Sequence, residues 1–228
     1  SLDLDEEWKM SSLKEALSNS DIRFNLFKSL LNAIKPSYGF ELYIHSDFPK
    51  GSGLGGSSVV SAAVIGCFNE FRADKWDLHD MAEIAFQAER LHMNISGGWQ
   101  DQYATVFGGI NFIEFTKDRN HIHSLKLSDK IICELEENLL LFKLPKSREV
   151  EGDSIHQNQK ESMKSKDVNS SVKKAVKLCY TMKDQLVRGK LTEFGYSLNE
   201  AWQLKRKFSS KISNKGIDSF YAHAIKNG

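Results

Sequence analysis

The chain has 228 residues, of which 40% are hydrophobic and 27% are charged, a composition typical of globular proteins. No apolar run approaches the roughly 18 residues of a membrane-spanning helix, and no signal segment opens the sequence. The net charge is +1, and the three cysteines lie too far apart for a disulfide framework or a C-x-x-C zinc site. Aromatic residues do not alternate with basic ones as in a nucleic-acid groove. We therefore expect a cytoplasmic protein without a nucleic-acid or membrane partner.

The N-terminal part contains helices and one strand by its hydrophobic periodicity. Residues 1–35 repeat apolar positions at helical spacing, whereas residues 39–45 alternate and predict a strand. Two further helices are predicted at about 57–73 and 77–92, and Asp77 is the expected N-cap of the second.

The remaining residues predict a few strands followed by helices. Strands are expected at 110–115, 122–127 and 139–144, a polar segment at 148–169, and helices at 172–186, 191–208 and 217–225. Because strands and helices do not alternate as βαβ units, the fold class is predicted to be α+β. A boundary near residue 135 gives two domains, 1–135 and 136–228.

A glycine-rich turn between the strand at 39–45 and the next helix is the most informative feature. The sequence from Phe48 to Ala63 is FPKGSGLGGSSVVSAA. Its glycines allow positive φ and a close approach of the backbone to a ligand, and the helix that follows directs free N–H groups at the turn. An anion, most naturally a phosphate, is the expected ligand. The expected binding residues are Gly51, Ser52, Gly53, Leu54, Gly55, Gly56, Ser57 and Ser58.

Three other interpretations of this turn are possible. Gly51, Gly53 and Gly56 fit G-x-G-x-x-G, but a dinucleotide site needs a second strand after the helix, and the sequence predicts another helix there. The P-loop interpretation fails because its motif requires a lysine directly before the serine, and no lysine directly precedes Ser57. The third interpretation is a turn that only packs a strand against a helix. Four glycines in six residues make this interpretation less favoured than a ligand-binding turn.

The turn resembles the second motif of the GHMP kinases. The family pattern P-x-x-x-G-L-G-S-S-A is similar to P-K-G-S-G-L-G-G-S-S-V, which begins at Pro49. A second stretch, AERLHMNISGGWQDQYATVFGG, begins at Ala88 and resembles the metal-binding and catalytic region of the family. This stretch is more specific than the general family pattern and is similar to the D-glycero-D-manno-heptose 7-phosphate kinase group, with L-fucokinases as near relatives.

The resemblance implies an ATP-dependent sugar kinase that uses ATP and Mg²⁺. Ser57 and Glu89 would hold the metal, with Ser58 as the alternative to Ser57. Asp101 would be the catalytic residue, acting on a sugar hydroxyl, most closely the anomeric hydroxyl of the heptose 7-phosphate. The substrate-binding residues would include Gly98, Trp99 and Gln100.

Each of these residues also has a plain structural interpretation. Glu89 could be an exposed helix residue, Asp101 could cap a turn, and Trp99 could be a buried anchor. The sequence alone leaves the two roles of Trp99 open.

The resemblance also implies an N-terminal domain like ribosomal protein S5 domain 2 and an incomplete, ferredoxin-like helical C-terminal domain. The first and third family motifs are not in the sequence, so we expect a fragment of a longer kinase. The alternatives are an L-fucokinase-like enzyme and a non-catalytic module that binds a nucleotide or sugar phosphate. A homodimer is compatible with the sequence.

Overall fold

The computed structural model describes residues 6–47, 53–93, 96–142 and 161–227. The chain forms two compact units, Ser1–Ile122 and His123–Gly228. Most described residues are helical, and their sheet consists of two strands, β1 (Asn111–Phe115) and β2 (Asn120–Ser124). The predicted mixture of α and β structure is therefore confirmed, with a larger helical share and a smaller sheet than expected. The S5-like and ferredoxin-like assignments and the boundary near residue 135 stay predictions.

The described part of the first unit is built mainly from helices. Its α-helices are α1 (Leu13–Ser18), α2 (Asn25–Ile34), α3 (Gly56–Glu70), α4 (Leu78–Phe86) and α5 (Gln100–Phe107). A short 3₁₀ turn, Ile22–Phe24, precedes α2, and a π-helical segment, Gln87–His92, continues α4. The two helices predicted at about 57–73 and 77–92 are thus confirmed.

A capping box fixes the start of α4. The Asp77 side chain accepts from the Asp80 N–H at 2.8 Å, and the Asp80 side chain accepts from the Asp77 N–H at 3.2 Å. These two bonds satisfy N–H groups that have no partner within the helix. The predicted N-cap is confirmed. Because the first residue of α4 is fixed, the direction of the side chains along α4 is fixed up to the π-helical segment.

Small side chains bring the helices of the first unit close together. Leu30 of α2 and Ile65 of α3 are fully buried, and they share one core with Ala85 of α4 and Ala88 of the π-helical segment. Alanine at these two positions lets the backbone of one helix approach the side chains of another. The π-helical segment thereby belongs to the same core as α3.

The strand predicted at residues 39–45 is not found: these residues belong to no sheet among the described parts of the chain. Leu42 and Ile44 do pack against the core, so the alternating pattern correctly identified the inward-facing side chains. A strand also needs a neighbouring backbone as hydrogen-bond partner, which an alternating pattern cannot supply.

Of the later predicted strands, the one at 110–115 is confirmed as β1, and the other two differ from the structure. The strand expected at 122–127 begins two residues earlier, as β2. Residues 139–142 are neither helix nor strand, and the rest of the strand expected at 139–144 lies outside the described residues, as does most of the polar segment 148–169.

The described part of the second unit is mostly helical. Its α-helices of ten or more residues are α6 (Asp129–Asn138), α7 (Lys166–Val187), α8 (Leu191–Lys205) and α9 (Lys215–Lys226). The three helices predicted here correspond to α7, α8 and α9. Helix α6 was not predicted, although Ser128 at its N-cap accepts from the Ile131 N–H and is a recognisable start signal. No helix within the described ranges has the length and apolar character to cross a membrane.

A hydrogen-bonded tyrosine joins α5 to α4 in the first unit. The Tyr103 hydroxyl donates to Glu83 Oε1 at 2.5 Å, and Asn120 Nδ2 donates to the same oxygen at 3.2 Å. Burial and then the bond to Glu83 raise the pKa of Tyr103 from 10.0 to about 12. The folded protein therefore favours the neutral phenol. This contribution to stability is complete below pH 10 and is lost as the pH rises through 12.

We expect Tyr103→Phe to lower the free energy of unfolding by about 1.5–3 kcal/mol at neutral pH, because a hydrogen bond to a charged group is lost. The variant should also lose less stability than the wild type as the pH rises from 9 toward 11. Urea unfolding across that range measures both effects, with the exposed Tyr196→Phe as control. Equal stability of Tyr103→Phe and wild type would show that the bond contributes nothing.

Candidate active site

The N-terminus of α3 opens onto the glycine-rich turn. Gly53 and Gly55 have φ values of 78° and 70°, in the left-handed region that favours glycine, and Gly55 is the N-cap. The N-cap therefore has no side chain with which to satisfy the first N–H groups of the 15-residue helix. Gly51 and Ser52 of the predicted phosphate-binding set lie outside the described residues. The described part of the turn has the backbone geometry that an anion-binding helix terminus needs.

Two serines in the first turn of α3 bind one buried carboxylate. Ser57 Oγ donates to Glu89 Oε2 at 2.8 Å, and Ser58 Oγ donates to the same oxygen at 3.2 Å. Ser58 is buried, whereas Ser57, one residue closer to the turn, is exposed. The predicted metal-binding pair, Ser57 and Glu89, is therefore in direct contact across 32 residues of sequence.

Glu89 is not the exposed helix residue of the plain interpretation, since it is only 2% exposed. It lies in the π-helical segment, and single π-helical turns are frequently found at functional sites. Its second oxygen, Oε1, is buried and has no hydrogen-bond partner among the described residues. A carboxylate rarely stays buried with a free oxygen, because an unsatisfied charged group is costly. A cation at Oε1 would satisfy it.

The first unit contains several unsatisfied buried polar atoms besides Glu89 Oε1. Within the described residues, those of the first unit belong to Ser61, Glu89, Arg90, Trp99 and Gln102. All of them fall in the two stretches that carry the predicted site. Native proteins leave few such atoms, so their occurrence in these two stretches favours a site that binds a ligand or ordered water.

Asp101 lies beside the glycine-rich turn. A Cβ added to Gly55 would be 3.9 Å from both Cβ and Cγ of Asp101, so the backbone of the turn approaches the carboxylate closely. Trp99 is the N-cap of α5, which places Asp101 in the first turn of the helix rather than at the cap. The Asp101 side chain is 45% exposed and is accessible to a substrate.

Arg90 is a candidate residue that the sequence analysis missed. Its Nη2 lies 4.0 Å from Asp101 Oδ2, and its side chain is only 12% exposed. The only sequence signal was its place next to Glu89, and neighbours in a regular helix point in different directions. The contact between Arg90 and Asp101 depends on the turn at Gly97 and Gly98, which helical periodicity does not describe.

The Trp99 ring stacks on Phe86, with centroids 4.5 Å apart, and faces Phe115 at 6.1 Å. This position supports the anchor role, since the ring holds α5 against α4 and β1. Gln100 is exposed, and a Cβ at Gly98 would lie 2.5 Å from Gln100 Oε1, so a side chain at Gly98 would require the Gln100 amide to move. Sugar binding by Gly98, Trp99 and Gln100 stays a prediction.

Comparison with known proteins relates this arrangement to sugar kinases. The D-glycero-alpha-D-manno-heptose 7-phosphate kinase of Campylobacter jejuni is 35% identical over 223 residues, which cover 94% of this chain and 64% of that protein. The bifunctional fucokinase/GDP-fucose pyrophosphorylase of Arabidopsis thaliana is 27% identical over 81% of this chain and 18% of that protein. A crystal structure of a D-glycero-D-manno-heptose 1-phosphate kinase from Bacteroides thetaiotaomicron is similar with a TM-score of 0.64 and 27% identity, over 84% of this chain and 58% of that one.

The chain thus spans less than two thirds of the length of these heptose kinases. Residues 25–109 match the family described as the GHMP kinases N terminal domain. The matched residues include the glycine-rich turn, the Ser57–Glu89 contact and Asp101. The candidate site therefore lies within the part of the chain that matches the GHMP kinase N-terminal domain.

Proposed function

We propose that the protein is an ATP-dependent sugar kinase that transfers the γ-phosphoryl group of ATP to a sugar hydroxyl. The observation that carries this proposal is the buried Glu89 carboxylate, which Ser57 and Ser58 hold at the open N-terminus of α3. Asp101 lies against Gly55 of the same turn. Phosphoryl transfer needs these elements: a phosphate cradle, a metal ligand and a group that orients the nucleophile.

The phosphates of ATP would lie in the turn from Gly51 to Ser58. The first N–H groups of α3 point into this turn, and the helix dipole favours negative charge there. The positive φ values of Gly53 and Gly55 let the backbone curve around a phosphate. Binding would thus depend mainly on backbone groups.

The donor set fits Mg²⁺, which prefers oxygen ligands and keeps several waters. Glu89 Oε1 is buried and unpartnered among the described residues, and the Ser57 hydroxyl lies on the exposed side of the same carboxylate. Cages of three or more His, Cys, Asp or Glu are absent from the described residues, and a metal bound partly through substrate phosphates does not need one. When bound, the ion would neutralise charge that develops on the phosphates.

Asp101 would accept a hydrogen bond from the attacking sugar hydroxyl and orient its oxygen toward the γ-phosphorus. A new oxygen–phosphorus bond forms on the sugar, the bond to the bridging oxygen of ADP breaks, and the hydroxyl proton passes to Asp101 or on to solvent. The exposure of Asp101 leaves room for this contact. Arrangement of the two reactants supplies most of the catalysis in such a reaction.

The proposed substrate is a heptose phosphate, D-glycero-D-manno-heptose 7-phosphate, phosphorylated at its anomeric hydroxyl. The support is the similarity to a heptose 7-phosphate kinase over 94% of this chain. An L-fucokinase-like activity is the second candidate, because the fucokinase relative is similar over 81% of the chain. A non-catalytic module that binds a nucleotide or sugar phosphate is the third.

ADP release by the full-length protein tests these candidates. The protein would be incubated with Mg-ATP and, separately, with the heptose 7-phosphate, L-fucose, galactose and mevalonate. Turnover on the heptose phosphate alone supports the proposed substrate, and turnover on fucose alone supports the second candidate. Binding of ATP without turnover on any acceptor would contradict the kinase proposal and support the module.

Gly53→Val is expected to abolish ATP binding. Valine at a φ of 78° is strained, so the turn must rearrange and lose its cradle of N–H groups. Isothermal titration with ATP measures the loss. Gly39→Val is the matched control, because Gly39 has an ordinary φ and open space around its Cβ position. Unchanged ATP affinity in a folded Gly53→Val protein would refute the phosphate-binding assignment.

Asp101→Asn is expected to lower kcat by about 100-fold or more, because the amide keeps the shape but cannot take the hydroxyl proton. The Kd for ATP should stay within about twofold, since Asp101 does not contribute to the cradle. Steady-state kinetics and ATP titration measure the two quantities. An unchanged kcat would remove Asp101 from the mechanism.

Ser57→Ala is expected to raise the Mg²⁺ concentration needed for half-maximal activity by about tenfold, as for the loss of one ligand contact. Ser58→Ala should change it much less, because the Ser58 hydroxyl is buried behind the carboxylate. Activity measured against Mg²⁺ concentration at fixed ATP separates the two serines. A large shift in Ser58→Ala alone would move the metal-binding role to Ser58.

A further inference from the structure

We propose that Arg90 is a positioning residue for Asp101, and that Gly97 is a glycine because the guanidinium occupies the space of a side chain there. This inference rests on the proposed function, since it gives Arg90 a task in the same site. It assigns a role to a buried cation next to the proposed metal ligand.

Arg90 reaches the catalytic carboxylate from its inner side. Its side chain is 12% exposed, whereas that of Asp101 is 45% exposed, so the guanidinium is the more buried of the two groups and the carboxylate is the one accessible to solvent. Arg90 follows Glu89 directly in the π-helical segment Gln87–His92. One short segment therefore supplies both the buried anion at Ser57 and the buried cation at Asp101.

The distance between the two groups defines the kind of interaction. Arg90 Nη2 lies 4.0 Å from Asp101 Oδ2, which is longer than the 2.7–3.2 Å of an N–H···O hydrogen bond. The cation attracts the carboxylate without occupying one of its lone pairs. Asp101 thereby keeps its oxygens free for a substrate hydroxyl while its orientation is biased by a charge.

The turn before α5 packs against the guanidinium at Gly97. A Cβ at this position would lie 2.7 Å from Cζ, 2.9 Å from Nε and 3.0 Å from Nη1 of Arg90. Real Cβ atoms do not approach other heavy atoms so closely, so any larger residue must displace the arginine or the turn. Gly97 therefore limits the movement of the guanidinium on one side.

The Arg90 Nε atom is buried and has no hydrogen-bond partner among the described residues. A buried N–H without an acceptor destabilises the folded protein, so hydrogen bonding at Nε does not explain why an arginine stands here. The electrostatic attraction to Asp101 across 4.0 Å provides a reason, because it requires a positive charge. A methionine of similar length would fill the same space without the charge.

The test compares Arg90→Met with wild type in the full-length protein. We expect kcat to fall by about 10- to 100-fold, as for a misplaced catalytic group, with the KM for ATP within about twofold. Arg90→Lys should recover part of kcat, because it restores a charge without the planar fork. Arg72→Met is the matched control: Arg72 is also partly buried and paired with a carboxylate, that of Asp74, and kcat should not change.

The combination with Asp101→Asn separates positioning from a merely structural role. If Arg90 acts through the Asp101 charge, Arg90→Met in the Asp101→Asn background lowers kcat no further. If Arg90 only supports the fold, the two losses multiply, and the proposal is wrong. An unchanged kcat in Arg90→Met would also overturn it.

The Gly97 contact is tested by stability alone. Gly97→Ala should lower the midpoint of urea unfolding in wild type and have little effect in the Arg90→Ala background, where the guanidinium is absent. Equal losses in both backgrounds would refute the contact. This measurement does not need turnover. If the wild type releases no ADP, the proposed function is refuted, but the stability measurement still tests the contact between Gly97 and Arg90.

Discussion

The Glu89 carboxylate is buried in the first unit and shared by two hydroxyl groups from the first turn of α3. Burying a carboxylate is costly unless donors or a cation stabilise it, so this one group constrains its surroundings strongly. It ties the start of α3 to the segment after α4, and it fixes the distance between the glycine-rich turn and that segment. The candidate site is built around this contact.

The π-helical segment gives the contact its geometry. A regular helix would continue α4 at 3.6 residues per turn, whereas the wider turn of Gln87–His92 changes the direction of each side chain within it. Glu89 is directed to the serines and Arg90 to Asp101, although the two residues are neighbours in sequence. The π-helical segment thus positions both the residue that contacts the serines and the residue that faces Asp101.

The glycines of the site meet two different physical requirements. Gly53 and Gly55 adopt positive φ at the entrance to α3, where the backbone itself would face the phosphates. Gly97 and Gly98 instead leave space, for the guanidinium of Arg90 and the amide of Gln100. A substitution at the first pair strains the backbone, and one at the second pair displaces a side chain.

The sequence by itself determined the helices α3 and α4 and the Asp77 cap, because local patterns carry that information. The site residues Ser57, Glu89 and Asp101 became candidates through the resemblance of their motifs to those of the GHMP kinases. It did not determine that residues 39–45 lack a strand partner among the described residues, since pairing depends on distant backbone. Only the tertiary structure decided that Glu89 is buried against Ser57 and that Arg90 faces Asp101. The Glu89–Ser57 contact joins residues far apart in sequence, and the Arg90–Asp101 contact joins residues on opposite sides of a turn. Helical periodicity describes neither the π-helical segment nor that turn.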